Sequence, residues 1–204
     1  MNQRSLAVVS AGLSQPSSTR LLADQISAAA VSRAAADGIQ LTVTVIELRD
    51  LAHDIANHLL TGFPPAALKD AIETVEAADG LVAVTPIFTA SYSGLFKSFF
   101  DVLDKDALAD KPVVIAATAG TARHSLTLEH ALRPLFAYLR AAVVPTAVFA
   151  ASDDWGADSA DGTLRSRIDR AAAELTREIS RRDSVSVTDP FALTVNFEDL
   201  LKNP

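Results

Sequence analysis

The sequence predicts an α/β fold, a doubly wound parallel sheet of five strands with helices on both faces. Short apolar runs alternate along the chain with longer segments whose apolar residues recur at helical spacing. Three of the apolar runs end in loops of small or hydroxyl-bearing residues, and ligands of such sheets bind beyond the carboxyl ends of the strands. With 204 residues, 49% of them hydrophobic, the chain suits one such domain, for which we expect residues 1–182, followed by a C-terminal tail, residues 183–204.

The composition argues against several classes of function. A formal net charge of -7 argues against a general nucleic-acid surface, so any phosphate site must be local. Without cysteine the chain can form no disulfide, thiolate nucleophile or thiolate metal site. No stretch approaches the roughly 20 apolar residues of a membrane span, and residues 1–5 lead almost directly into the first strand, which leaves no room for a signal peptide. We therefore expect a soluble cytoplasmic protein with no membrane or nucleic-acid partner.

The first strand, residues 6–9, leads through a hydroxyl-rich loop, residues 10–19, into an alanine-rich helix, residues 20–36. Gly12 permits a tight exit from the strand, and Pro16 stiffens the loop. The unpaired N–H groups and the dipole at the start of a helix favour an anion. The hydroxyl groups near that point belong to Ser14, Ser17, Ser18 and Thr19. Because the loop matches neither the three-glycine dinucleotide fingerprint nor a Walker loop, it predicts a site for a mononucleotide phosphate. The alternative is that a serine merely caps the helix.

The remaining elements continue the alternation. β-branched residues mark a second strand at residues 40–46, and residues 47–63 then form a solvated helical connection. Continuous apolar runs predict three more strands, and helical spacing predicts the helices between them. We place these strands at residues 81–85, 113–118 and 143–149, the last interrupted at Pro145, and the helices at residues 66–78, 123–140 and within 158–182.

A metal site in residues 47–63 is an alternative that we discount. Its candidate ligands are His53, Asp54, Asn57 and His58. A metal site needs at least three converging protein ligands, and nothing else in the sequence points to one.

Two further loops are expected at the ligand-binding edge of the sheet. The third strand ends in a loop that runs from Thr85 into a helix near Lys97. Pro86 requires an extended backbone at the start of this loop, and Ser91 can cap the helix. The fourth strand ends in a loop of small residues, residues 119–122. These loops and the first one converge at one edge of a doubly wound sheet, so together they predict a mononucleotide site there.

At these positions the sequence resembles the NADPH-dependent FMN reductases of the flavodoxin-like superfamily, the flavin suppliers of two-component monooxygenases. The resemblance lies in Ser-x-x-Ser-Ser-Thr-Arg-Leu-Leu-Ala at residues 14–23, in Thr-Pro-Ile-Phe at residues 85–88 with Ala-Ser-Tyr-Ser-Gly-Leu-Phe-Lys at residues 90–97, and in Thr-Ala-Gly at residues 118–120. It covers roughly residues 5–150. The resemblance implies a flavodoxin-like sheet with strand order 2-1-3-4-5, and an enzyme that transfers hydride from NADPH or NADH to FMN.

The resemblance also implies which residues hold FMN. The first loop would hold the phosphate through Ser17, Ser18 and Thr19, with Ser10, Ser14 and Arg20 as further candidates. The second loop would flank the ring and the ribityl chain through Thr85, Pro86, Ile87, Phe88 and Ser91. The third would close the other side through Thr118, Ala119, Gly120 and Thr121. The backbone N–H near Gly120 is the candidate stabiliser of the reduced ring. Because family members are usually dimers or tetramers, a homodimer or homotetramer is expected, with a flavin-dependent monooxygenase as a further partner.

Several alternatives stay open. The same FMN site could serve a quinone, azo or metal-oxyanion reductase, or a flavin-binding electron carrier. The first loop has Ala-Gly-Leu at residues 11–13, where many relatives have a basic residue, which leaves one phosphate contact undecided. Arg123 and His124 could bind the NADPH 2′-phosphate or a substrate carboxylate, or could simply lie at the surface. Residues 153–155, Asp-Asp-Trp, could form a lid beside the flavin or only a turn before the last helix.

Two further groups of apolar residues predict contacts between subunits. An aromatic stripe at helical spacing consists of Tyr92, Phe96, Phe99 and Phe100. The tail, residues 183–204, has too many apolar residues for a free segment, so we expect it to pack on its own or a neighbouring subunit.

Overall fold

Strands and helices alternate along the chain as predicted. The computed structural model describes residues 2–155 and 163–185. Its strands are β1 (Asn2–Ser10), β2 (Ile39–Glu47), β3 (Gly80–Phe88), β4 (Ser91–Tyr92), β5 (Pro112–Ala119), β6 (Ala142–Val143) and β7 (Val148–Ala151). Its helices are α1 (Ser18–Ala36), α2 (Ala52–Thr61), α3 (Ala66–Ala77), α4 (Gly94–Asp101), α5 (Arg133–Tyr138) and α6 (Thr163–Ser180). No helix among the described residues is long and apolar enough to cross a membrane.

The sheet has the predicted doubly wound, flavodoxin-like topology. Its long parallel strands run in the order β2-β1-β3-β5, and β6 and β7 both pair with β5 in parallel. The fifth predicted strand is therefore two short strands, and the predicted interruption at Pro145 is confirmed. Pro145 has no N–H group with which to continue the hydrogen bonding of the strand. The carbonyl oxygens of Val144 and Pro145 accept hydrogen bonds from Arg133, both 3.2 Å long. β4 pairs antiparallel with the end of β3 in a hairpin that the sequence analysis did not predict.

The sheet separates two hydrophobic cores. On one face, Leu6 and Val8 of β1 pack with α1 and α6. On the other face, Ala7 and Val9 pack with α2, α3, α4 and α5. Neighbouring strand residues point to opposite faces, and both faces are covered by helices, which explains why the strands are continuous apolar runs.

The aromatic stripe lies mainly in the core, so its predicted role as a subunit contact is wrong for its three phenylalanines. Phe96, Phe99 and Phe100 are at most 2% exposed. The ring centroid of Phe100 lies 4.7 Å from that of Phe96 and 4.9 Å from that of Phe136. Because α4 is short and turns its apolar face onto the sheet, these rings serve the chain's own packing. Tyr92 is half-buried.

Two helix boundaries differ from the sequence prediction. Ser93, rather than Ser91, caps α4, since its side chain accepts a hydrogen bond from Phe96 N (3.1 Å). The predicted helix at residues 123–140 is broken into a 3₁₀ turn, a π-helical turn at Leu128–Leu132 and the short α5. Pro134 explains why α5 starts as a separate helix after the π-helical turn, because proline has no N–H group to bond back to that turn.

Candidate functional site

A cavity of about 560 Å³ opens at the carboxyl ends of β1, β3, β5 and β7. The three predicted loops meet there, together with the segment that follows β7. The lining residues are Leu13, Ser14, Ser17, Ser18, Thr19, Pro86, Ile87, Phe88, Thr118, Ala119, Gly120, Ser152 and Trp155. The predicted convergence of the loops at one edge of the sheet is therefore present.

The first loop folds back on itself to start α1. Ser17 is the N-cap, and its Oγ accepts a hydrogen bond from Arg20 N (3.2 Å). The first intrahelical backbone bond runs from Leu21 N to Ser17 O (3.0 Å), so the amides of Ser18 and Thr19 precede the hydrogen-bonded part of the helix. Ser17 therefore caps the helix, and this arrangement leaves the amides of Ser18 and Thr19 available to a ligand.

Gly12 is needed for this fold of the loop. A Cβ at Gly12 would lie 2.1 Å from Ser17 Oγ and 3.1 Å from Thr19 Cβ. These distances are below or at the edge of what real side chains tolerate, so any larger residue would displace the capping serine.

The start of α1 is fixed to the end of β5. Thr19 Oγ1 and Thr118 Oγ1 are 2.8 Å apart in a buried hydrogen bond. Because of this bond, the hydroxyl of Thr19 is already engaged, and the helix N-terminus stands directly over the fourth long strand.

Strand alternation places the predicted residues on two faces of the sheet. Ser10 and Pro86 occupy the same face of the sheet as Thr118, the face that α1 covers. Ser10 Oγ is buried and has no hydrogen-bond partner among the described residues. Thr85 belongs to the opposite face, where its Oγ1 accepts a hydrogen bond from Ser93 N (3.0 Å) and donates to Pro86 O (2.9 Å).

The hairpin after β3 brings an aromatic ring to the cavity. Phe88 pairs with Ser91, which leaves a two-residue turn at Thr89 and Ala90. Both turn residues have positive φ angles, 48° and 68°. Phe88 stays 47% exposed and lines the cavity.

Among the residues that the structure describes, every side chain that lines the cavity is uncharged. Two arginines are paired behind the first loop. Arg20 donates to Asp24 (2.8 Å) and to Glu47. An Nη atom of Arg49 lies 3.1 Å from a carboxylate oxygen of Glu47, and Arg49 also donates to Ser14 O (3.2 Å). The hydrogen bond to Asp24 raises the pKa of Arg20, against the opposing effect of partial burial. These arginines support the loop from outside, and carboxylates balance their charge.

Comparisons with known proteins identify the relatives of the chain. The profile of the NADPH-dependent FMN reductase family matches residues 5–156. The chain belongs to this family. It is 39% identical over 172 residues to the NADH-dependent FMN reductase SfnE of Pseudomonas putida, covering 83% of this chain and 88% of that protein. It is 37% identical over 150 residues to an FMN reductase (NADPH) of Pseudomonas aeruginosa, covering 74% and 78%. An oxidoreductase from Corynebacterium diphtheriae with a known X-ray structure is 50% identical in sequence to this chain. The two structures superpose with a TM-score of 0.86 over 90% of this chain and all of the other.

Ten of the predicted site residues line the cavity of this FMN reductase family member. They are Ser14, Ser17, Ser18, Thr19, Pro86, Ile87, Phe88, Thr118, Ala119 and Gly120. The others do not line it: Ser10, Arg20, Thr85, Ser91 and Thr121, with Arg123 and His124 in a 3₁₀ turn beyond Thr121. Arg123 is exposed and His124 is half-buried.

Three lining residues were missed by the predicted set, namely Leu13, Ser152 and Trp155. Of these, Trp155 had a signal in the sequence, since a lid at residues 153–155 was one of two open interpretations. In this family member residues 152–155 form a 3₁₀ turn, and Trp155 nevertheless reaches the cavity.

Proposed function

We propose that this protein is an NAD(P)H-dependent FMN reductase that binds FMN in the cavity at the carboxyl edge of the sheet. The observation that carries the proposal is that a hydroxyl-rich helix N-terminus and two apolar loops line one uncharged cavity in a chain of this family. Such a cavity suits a ligand with an anionic end and a flat, uncharged ring.

The first loop is the proposed phosphate end. The amides of Ser18 and Thr19 lie at the positive end of the α1 dipole, and Ser17 and Ser18 add hydroxyl donors at the same place. Thr19 contributes its amide, because its hydroxyl bonds to Thr118. These groups fit a phosphate, with helix N–H groups and hydroxyls as donors.

The second and third loops are the proposed ring end. Pro86, Ile87 and Phe88 supply an apolar wall on one side, and Ala119 and Gly120 supply small groups on the other. A Cβ at Gly120 would meet no atom within 4 Å, so the backbone there is open to close approach. When bound, FMN supplies the ring that accepts hydride from the nicotinamide. The chain's part is to position the ring, exclude water and offer backbone N–H groups to developing negative charge.

The uncharged lining also bears on how firmly FMN is held. Charge-assisted contacts from arginine or lysine are among the stronger bonds to phosphate, and the described lining has none. We therefore propose that FMN exchanges with solvent as a substrate and is not permanently retained.

A spectroscopic titration tests the proposed function. One equivalent of FMN is added to the purified protein, and NADPH or NADH is then added anaerobically. We expect perturbed flavin bands followed by bleaching, and continuous oxidation of the nucleotide when FMN is in excess. Binding without nucleotide oxidation would indicate an electron carrier, turnover that requires an added quinone would indicate a quinone reductase, and an unperturbed FMN spectrum would remove FMN from the cavity.

We also propose that the protein is a homo-oligomer, a dimer or tetramer. Leu60 and Phe63, at the end of α2 and just after it, are 86% and 80% exposed. A subunit contact would bury these apolar side chains. Light scattering after size exclusion should show a mass above that of one chain, and serine at both positions should lower it, whereas Val31→Ser on the exposed side of α1 should not. A monomeric wild type would contradict this.

We further propose a flavin-dependent monooxygenase as the partner and the cytoplasm as the cellular location. Reduced flavin released from an exchanging site can pass to a flavin-dependent monooxygenase, and we place the protein in the cytoplasm. Cell fractionation tests the location, and coupled monooxygenase turnover, with the two proteins separated by a dialysis membrane, tests transfer through free flavin.

A further inference from the structure

The 3₁₀ turn at Ser152–Trp155 adds a fourth wall to the cavity. β7 pairs with β5 so that Ala151 lies opposite Ala119. The turn therefore begins beside Gly120, at the same edge of the sheet as the three predicted loops. Trp155 is the only tryptophan of the chain.

Trp155 is held from two sides. Its half-buried side chain packs against the hydrophobic core shared by α1 and α6. The preceding residue, Asp154, accepts a hydrogen bond from Ala151 N (2.7 Å), which closes the turn. Asp154 Oδ1 also lies 3.9 Å from an Nη of Arg167 on α6. Asp154 thus closes the turn and lies beside an arginine of α6.

We propose that Trp155 is a flavin-contacting residue and that Asp154 is the positioning residue that holds it at the cavity. This inference rests on the proposed function. Phe88 and Trp155 are the two aromatic side chains among the described lining residues, and Trp155 provides the flat surface beside β7. Aromatic side chains bind flat heteroaromatic groups by stacking and bury much apolar area with few rotatable bonds.

The emission of bound FMN tests the contact directly. A tryptophan in van der Waals contact quenches an excited flavin by electron transfer, whereas phenylalanine does not. We expect weak emission from the wild-type complex and severalfold stronger emission from the Trp155→Phe complex at saturating FMN. Neither Tyr92 nor Tyr138 lines the cavity, so the tyrosines do not account for the difference. Equal emission from the two complexes would overturn the contact.

Affinity gives a second, independent readout. Trp155→Ala should raise the dissociation constant of FMN by about tenfold or more, while Trp155→Phe should change it by less. The melting temperature without FMN shows whether each variant is folded. An unchanged constant in a folded alanine variant would overturn the proposal. If that variant does not fold, the emission of the phenylalanine variant decides.

The positioning role of Asp154 is tested with Asp154→Asn. Without FMN, the emission maximum of Trp155 should move to longer wavelength as the ring becomes more exposed, and FMN should bind more weakly. Asp169→Asn is the matched control, because it breaks an exposed ion pair with Arg165 on the same helix, away from the cavity. An Asp154→Asn variant with unchanged tryptophan emission and FMN affinity would overturn this role. If the wild type binds no FMN, the proposed function itself fails. If the wild type binds and turns over FMN and the Trp155 and Asp154 variants behave like the wild type, only this inference is refuted.

Discussion

Thr19 and Thr118, 99 residues apart in sequence, share a buried hydrogen bond between their hydroxyl oxygens of 2.8 Å. Thr118→Val would leave the buried Thr19 hydroxyl without this partner, and we expect a loss of about 1–3 kcal/mol in the free energy of unfolding. The double variant Thr19→Val/Thr118→Val should lose less than the sum of the single variants, because it leaves no unpaired hydroxyl. Urea unfolding measures all three variants. Thr74→Val is the control, because the half-buried hydroxyl of Thr74 bonds only to Asp70 O within α3. Additive losses would show that the two hydroxyls are not coupled.

Gly12→Ala should disrupt the first loop. The added Cβ would overlap Ser17 Oγ at 2.1 Å, so the serine must leave its capping position. Loss of an N-cap costs about 1 kcal/mol, and FMN affinity should fall as well because the amides of α1 are displaced. Gly94→Ala, at the start of α4, is the control for stability, since a Cβ there meets nothing within 4 Å. Thermal melting and an FMN titration are the measurements. Equal melting temperatures of the two variants would contradict the crowding at Gly12.

Ser18→Ala should weaken FMN binding without loss of stability. Ser18 lines the cavity, its side chain is exposed and it is not the capping residue. A lost hydrogen bond to a charged phosphate corresponds to about 1.5–3 kcal/mol of binding free energy. Ser166→Ala, exposed on α6, is the matched control. Riboflavin, which has no phosphate, should bind the wild type and Ser18→Ala equally well, and a drop in riboflavin affinity in the variant would place Ser18 elsewhere in the site.

The hairpin after β3 can be stabilised. Thr89 and Ala90 have positive φ angles, which threonine and alanine adopt at a cost. Asn-Gly is favoured in two-residue turns of this kind, so Thr89→Asn/Ala90→Gly should raise the free energy of unfolding by about 1 kcal/mol. Denaturant unfolding measures this. Thr89→Ile, a β-branched residue at the same angle, should give no gain, and equal stability of the two variants would contradict the strained turn.

The free energy of unfolding should depend on the charge of Lys111. This lysine is 6% exposed, and it donates to the carbonyl oxygens of Glu76 and Ala78 at the end of α3. Burial lowers its pKa, although Asp79 and Glu76 partly oppose the shift. The unfolded chain therefore binds the proton more tightly than the folded one. Deprotonation of Lys111 therefore raises the free energy of unfolding. This gain is fully present above the pKa of lysine in the unfolded chain, about 10.4, and it is lost as the pH falls through the lowered pKa of the folded state.

Unfolding in urea as a function of pH measures this effect. Between the lowered pKa and about 10.4, the wild type should gain stability with rising pH relative to Lys111→Met. Lys69→Met, which removes an exposed lysine of α3, is the matched control. A constant difference between the wild type and Lys111→Met across this range would contradict the lowered pKa.

Features encoded by neighbouring residues were predictable from the sequence. The doubly wound sheet follows from the alternation of apolar runs with helical segments. The first loop and most of the cavity-lining residues follow from a glycine and several hydroxyl groups just before a helix. The hairpin was missed because Thr89-Ala90 lacks the Asn-Gly signal. The aromatic stripe was assigned to the wrong surface because periodicity shows that a helix has an apolar face but does not show what covers it.

Features that depend on distant parts of the chain could not be predicted. The bond between Thr19 and Thr118 requires α1 to stand over β5, and the place of Trp155 depends on how β7 pairs with β5. Neither relationship leaves a local pattern. Thr85 was predicted to lie in the site together with its neighbour Pro86. Its side chain instead faces away from the cavity that Pro86 lines.

The alternation of β3 between its two faces has a consequence for how this protein can change over evolutionary time. Pro86 contributes to the ligand cavity, while adjacent Thr85 supports the chain that leads into α4. Substitutions at one position can therefore alter ligand preference and leave the opposite core intact. A single-residue insertion or deletion in β3 would exchange the two roles at once. Variation in sequence should be tolerated at this edge far more readily than variation in length.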